Sequence, residues 1–203
     1  MTATLPGIPL SNSTIGSSRL SHLRIVYPQQ VFKRKNLLLL KSDNFWKIEA
    51  GVVRSLTWDT EGRIMTLGFW GKGDIVGTPL SRIKPYQMEC LSEVKVTEIS
   101  PESSYLEKAL LVHIWKNEEF LSIINQFLVA DRLFTLLEWL ASQFGQSTSE
   151  GILLNLYLTH QDFADTIAAT RVTVTRLMKQ FEQEGKIKRE GRLLKIFSNY
   201  AKD

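Results

Sequence analysis

Cysteine is almost absent: Cys90 is the only one in 203 residues. An intrachain disulfide is thereby excluded, and so is an iron–sulfur cluster held by the cysteines of one chain. Histidine is scarce as well. His22, His113 and His160 lie far apart, without the HExxH spacing of a metalloprotease, and no nucleophile elbow or phosphate loop accompanies them. No enzyme activity and no cofactor or metal is expected, and His113 reads as a surface or satisfied histidine rather than a haem or metal ligand. No apolar run approaches the ~18 residues of a membrane span, and the N-terminus lacks the basic-then-apolar order of a secretory signal. The expected location is cytoplasmic, with no membrane partner.

Charge is present in ordinary amount but unevenly placed. Residues 151–203 hold 9 Lys and Arg against 6 Asp and Glu, whereas residues 1–150 are nearly balanced, with 16 against 15. An excess of cations in the last quarter suits a nucleic-acid module. Residues 1–22 are rich in Ser, Thr, Pro and Gly and read as a mobile tail. From residue 23 short β-prone runs follow one another: Arg24–Tyr27, Val31–Lys33, Leu37–Lys41, Phe45–Ala50, Val52–Asp59, Arg63–Phe69, Asp74–Val76 and Val94–Ile99. Turn signals separate them, among them Gly71-Lys72-Gly73-Asp74, so a sandwich or barrel is expected. Trp46, Trp58, Trp70, Trp115 and Trp139 read as core. Ser104–Leu111 is expected as a short helix and Asn117–Phe144 as one long or two abutting helices, with an apolar stripe too wide for one face. Gly145 to Gly151 reads as a polar linker.

Leu158–Gly185 is the most informative stretch. Thr159 is a candidate N-cap with Asp162 three residues on. Phe163, Ala164 and Ile167 fall on one helical face. After Ala168-Ala169, Thr170 can cap a second helix that buries Val174, Leu177, Met178 and Phe181. Its other stripe carries Arg171, Val172, Thr173, Thr175, Arg176 and Lys179. A plain helical hairpin would need no cations and hydroxyls clustered at the start of its second helix. A helix-turn-helix does, because base edges lie there. The basic run Lys186–Ile196 then reads as a two-strand wing. Arg171, Val172 and Arg176 are candidate base contacts. Thr170, Thr173, Lys179, Lys186, Lys188 and Arg192 are candidate phosphate contacts. Ala168 either takes the left-handed conformation that such turns require or relaxes the turn; the flanking pattern favours the first.

The order of a β-domain, a connecting helix and a winged helix-turn-helix resembles the Crp/Fnr family of transcription regulators. The resemblance rests on Phe45–Arg54, Glu61-Gly62-Arg63, Gly73-Asp74-Ile-Val-Gly77 and, more tightly, Thr170–Leu177. The last of these is similar to the recognition helix of the cyanobacterial global nitrogen regulator NtcA. It implies an α+β chain with an antiparallel β jelly roll like a cyclic-nucleotide-binding domain at residues 23–116. A short dimerisation helix is expected at 117–130, a hinge at Asp131-Arg132-Leu133, and a winged helix-turn-helix over 131–203. It implies a homodimer on a palindromic site in double-stranded DNA, with RNA polymerase a candidate partner. The family's Arg-Ser pair, which clamps a cyclic phosphate, is missing after Gly77, so a cyclic nucleotide is not expected. Gly77, Lys84 and Tyr86 fall near the 2-oxoglutarate segment of the nitrogen regulator and form a candidate effector pocket. The alternative function is a sensor of such a ligand with weak or vestigial DNA binding.

Overall fold

A computed structural model describes residues 29–39 and 44–197. The expected tail, the strand Arg24–Tyr27, the end of Leu37–Lys41 and His22 lie outside these residues. The β-domain has strands β1 (Gln29–Phe32), β2 (Phe45–Ala50), β3 (Val53–Trp58), β4 (Ile64–Trp70), β5 (Ile75–Val76), β6 (Gln87–Cys90) and β7 (Val94–Ile99). They form two antiparallel sheets, ordered β1-β7-β2-β5 and β4-β3-β6. Between the sheets lie Trp46, Ile48, Val53, Trp70, Val94 and Val96, all buried. The turn from β2 to β3 requires glycine. Gly51 has φ +90, and a Cβ there would sit 2.1 Å from the Glu93 carbonyl oxygen.

Two differences from expectation arise in this domain. Leu37 makes only an isolated bridge to Glu89. β6 has no counterpart among the expected strands, because Gln, Met, Glu and Cys carry little β-propensity; its place is set by pairing with β3, which buries Met88 and Cys90.

The helical region departs further. α1 runs unbroken over Ser104–Ile124, 21 residues, instead of beginning at residue 117. The β-branched and aromatic run Val112-His113-Ile114-Trp115 is a poor helix former by itself. It stays helical because the inner face of α1, with Leu106, Ala109, Phe120 and Ile123, is buried. The helix expected at 117–130 is therefore corrected to the C-terminal part of a longer one that ends at Ile124. Asn125 ends it, its side-chain amide donating to the Leu121 carbonyl at 2.8 Å. The break also lies upstream of the expected hinge: α2 (Val129–Phe144) already contains Asp131 in its first turn, where a carboxylate favours the helix dipole.

The C-terminal module comprises β8 (Gln146–Thr148), β9 (Gly151–Leu154), α3 (His160–Ile167), α4 (Arg171–Gln183), β10 (Ile187–Glu190) and β11 (Leu193–Ile196). Its sheet is ordered β10-β11-β9-β8. The polar linker of the sequence is thus largely an edge hairpin. Gln146, Ser147 and Thr148 are all exposed, so no burial pattern announces the strand.

The two regions share one core. Val52, Phe69 and Leu91 on the outer face of the β4-β3-β6 sheet pack with Phe120 and Ile123 of α1, the inner side of α2, and the buried stripes of α3 and α4. Trp139 of α2 lies amid Phe69, Phe120 and Phe144, and its indole N–H donates to Glu119 at 2.8 Å. Polar contacts add to this docking. Arg54 on β3, 3% exposed, pairs with Glu89 at 2.6 Å and with Asp162 of α3 at 2.9 Å. The hydroxyls of Thr66 and Thr166 meet at 2.8 Å.

Candidate DNA interface

α3 starts with a complete capping box. Thr159 Oγ1 accepts from the Asp162 N–H at 3.1 Å, and the Asp162 carboxylate accepts from the Thr159 N–H at 2.7 Å. The other oxygen of that carboxylate is the one Arg54 holds. One side chain thereby both starts the helix and ties it to the β-domain. At the far end Ala168 adopts φ 51, ψ 54, the left-handed conformation favoured from the sequence. The steric cost for alanine there is on the order of 1 kcal/mol. It is offset by the Ala169 N–H donating to Ala164 at 3.0 Å and by burial of Ile167 and Val174 on either side. Ala164, 1% exposed, leaves room for α3 to cross α4 closely.

Thr170 caps α4 by accepting from the Thr173 N–H at 3.1 Å. The helix buries Val174, Leu177, Met178 and Phe181, the stripe read from the sequence. Its open face brings together Arg171, Val172, Arg176 and Lys179. Val172 is 78% exposed, an apolar side chain standing alone among cations. Burial of the opposite stripe holds these residues on a rigid element, as base readout requires.

The wing residues divide. Ile187 on β10 faces the core, so Arg189, two residues on, faces the helices. Its guanidinium reaches Glu182 of α4 at 2.9 Å and donates to the His160 imidazole of α3. Lys188 points the other way, 3.8 Å from Glu190 and opposite Lys195. Lys186 lies near the C-terminal end of α4, over Phe134 and Phe181, and pairs with Glu184 at 2.8 Å. Arg192 remains with Arg171, lining a cleft of about 650 Å³ between α3 and the wing. The structure therefore gathers Arg171, Val172, Arg176 and Lys179 on one face, with Arg192 beside Arg171 and with Thr170 and Thr173 at the start of α4, and sets Lys186 and Lys188 apart. Among the described residues, Arg171, Arg176, Lys179 and Arg192 have no ion-pair partner. Lys186, Lys188, Arg189 and Lys195 all have one.

The other candidates lie in the β-domain. Gly77 is buried before a single 3₁₀ turn, Thr78–Leu80. Lys84 is exposed. Tyr86 packs against the β-domain core, where burial pushes its phenol up to about 12. His113 stacks on Trp70 at 3.9 Å, between α1 and the roll. Among the described residues no group of three side chains could hold a metal ion, and no helix is long and apolar enough to cross a membrane.

Comparison with known proteins bears on most of the chain. The regulatory protein CysR of Synechococcus elongatus is 38% identical over 164 residues, which are 79% of this chain and 80% of that protein. This chain belongs to the Crp/Fnr family of transcription regulators. Residues 131–198 match the family model of the Crp-like helix-turn-helix domain. The global nitrogen regulator of Nostoc is 28% identical over 66% of this chain and 56% of its own length. Among solved structures, a CRP-family transcriptional regulator of Thermus thermophilus superposes with a TM-score of 0.71 at 20% identity, covering 83% of this chain and 92% of the other. FixK2 of Bradyrhizobium japonicum does so with 0.70 at 16% identity, covering 86% and 94%. The regulator is thus a DNA-binding protein with the family's fold: antiparallel β-domain, helices, and C-terminal helix-turn-helix.

Proposed function

We propose that the regulator acts as a homodimer on an inverted repeat in double-stranded DNA and reads it with α4. The observation that carries the reading is the set of unneutralised cations on the open face of α4 and beside it, while the other described cations of residues 146–197 are paired. Arg171 and Arg176 supply paired donors for guanine O6 and N7, and Val172 offers an apolar face to a thymine methyl. Thr170, Thr173, Lys179 and Arg192 hold backbone phosphates. Lys186 and Lys188, set apart and paired, contribute less. By likeness to the nitrogen regulators, half-sites of the GTA…TAC kind are expected. The reading needs no cyclic nucleotide and no catalysis, and places the protein in the cytoplasm with RNA polymerase as a partner. An effector at Gly77, Lys84 and Tyr86 is a separate proposal, tested by native mass spectrometry of the purified protein.

The second copy follows from α1. Its outer face carries Leu111, Ile114, Leu121 and Trp115, the last expected in the core but open instead, each about half exposed, while its inner face is filled by the β-domain and α2. A helix apolar on both faces calls for a cover on both. Each outer side chain is already about half covered, so covering the rest contributes on the order of 1 kcal/mol per side chain. Pairing α1 with its twin about a two-fold axis would place two recognition helices about 34 Å apart, one turn of DNA. Fluorescence anisotropy with a palindromic duplex tests the reading. Arg171→Ala or Arg176→Ala should each cost about 1–3 kcal/mol on the specific site and much less on random DNA. Unchanged affinity in both, or monomer alone in sedimentation at micromolar concentration with the duplex present, contradicts it.

A further inference from the structure

The cleft between α3 and the wing holds a chain of hydrogen bonds with only one consistent direction. A guanidinium has donors and no acceptor. Arg189 Nη2 therefore donates to His160 Nε2, which must carry a lone pair. The ring's proton is then on Nδ1, which donates to Thr175 Oγ1 at 2.7 Å, and that hydroxyl donates to the Arg171 carbonyl at 2.8 Å. His160 is thus a neutral imidazole, fixed in one tautomer by its neighbours. Protonating it would set one N–H against another.

The charges around the ring explain why it stays neutral. Arg171 and Glu182 face it from α4 and Arg189 from β10, while Arg192 and Tyr157 line the same cleft. On its own helix Asp162 is held by Arg54, and Asp165 accepts from Gln161 at 2.7 Å. Glu182 is already committed to Arg189 at 2.9 Å. Burial and the two nearest arginines hold the His160 pKa below the ordinary histidine value. A cationic cleft around a proton-free imidazole is short of an anion, and an anion entering it would reverse the balance.

We propose that this cleft seats a backbone phosphate of the bound duplex between Arg189 and His160, with His160 taking up one proton from solvent as the phosphate enters. The proposal rests on the DNA reading and deepens it. One non-bridging phosphate oxygen accepts from Arg189. The other accepts from the new Nε2–H of His160, so the phosphate replaces the direct arginine–histidine bond. Nδ1–H keeps its bond to Thr175, because an imidazolium donates from both nitrogens, and the ring need not turn. The bond from Arg189 to Glu182 uses Nε and can persist.

The sign follows from linkage. Free protein holds the proton only below a depressed pKa; the phosphate raises that pKa in the complex. Between the two values DNA affinity rises as pH falls, by up to about tenfold per pH unit for each seat. Above and below that window it is flat.

The test measures affinity of the full-length protein for its selected duplex at constant ionic strength from pH 5.5 to 8.5. His160→Gln is the comparison, since its amide can accept from Arg189 and donate to Thr175 without titrating. Wild type should show the rise and His160→Gln a flat profile. In wild type alone, the imidazole NMR signal lost in His160→Gln should titrate at higher pH with duplex than without. Equal slopes in the two proteins, or an unmoved imidazole titration, overturn the proposal while leaving DNA binding intact. Inorganic phosphate at matched concentration moving the signal as far as duplex does would overturn it too, as an unspecific anion site. No binding of any duplex at any pH would overturn the DNA reading and this proposal together.

Discussion

Helices α1 and α4 are both half-buried, and their open faces differ in kind. On α1 the open face is Leu111, Ile114, Trp115 and Leu121; on α4 it is Arg171, Arg176 and Lys179 around the lone Val172. Both helices are anchored the same way, by an apolar stripe on the opposite side. The anchoring stripe says only that each helix belongs to the fold. The open face sets what kind of surface each can meet. An apolar open face gains from leaving water against a similar surface. A cationic one on a rigid helix gains from a polyanion, whose counterions it releases.

Changes to the α1 face should have the largest effect. Trp115→Glu puts a carboxylate where a partner helix would bury it, at an expected cost of about 3–5 kcal/mol in subunit association. Analytical ultracentrifugation should show dimers giving way to monomers, and affinity for the palindrome should fall with them. Dimers of undiminished strength would mean that the α1 face has some other use.

Arg54→Ala comes next. It leaves Glu89 and Asp162 without their buried counter-ion and loosens the seat of α3 on the β-domain. Removing one partner of a buried pair costs about 3–5 kcal/mol. Both carboxylates are partly exposed, so about 2–3 kcal/mol is expected in a denaturant melt. A loss below about 1 kcal/mol would show that apolar packing alone docks the module.

A smaller effect separates the two faces of the wing. Arg192→Ala should lower the salt dependence of DNA binding by about one unit of slope, and Lys188→Ala by much less. Equal changes would mean that both faces of the wing meet phosphate. Smallest of all is Ala168→Gly. Relief of the left-handed strain is opposed by about 0.4–1 kcal/mol of added freedom in the unfolded chain, so stability should change by less than about 0.5 kcal/mol. A loss of 1 kcal/mol or more would mean the turn is not strained as the φ of 51 implies.

What the sequence made legible was local. The stripes of α3 and α4, the caps at Thr159 and Thr170, and the left-handed Ala168 all follow from spacings within one turn or one helix. What it hid was long-range. β6 exists because β3 lies beside it, and α1 runs through Val112–Trp115 because both its ends are packed. The Arg54–Asp162 contact joins residues no pattern connects. Arg189 was within reach: Ile187 marks the inward face of β10, and the alternation of a strand puts Arg189, not Lys188, on the same side. In the sequence His160 is one scattered histidine, since nothing local shows that β10 folds back against it.

The most direct test of base readout by α4 is selection from random duplexes with wild type, Arg171→Ala and Arg176→Ala. Wild type should enrich an inverted repeat whose half-sites are centred about 34 Å apart. Each variant should lose preference at its own position in both half-sites and keep it elsewhere. An enriched sequence unchanged in both variants, or no enriched sequence for wild type, would contradict the account.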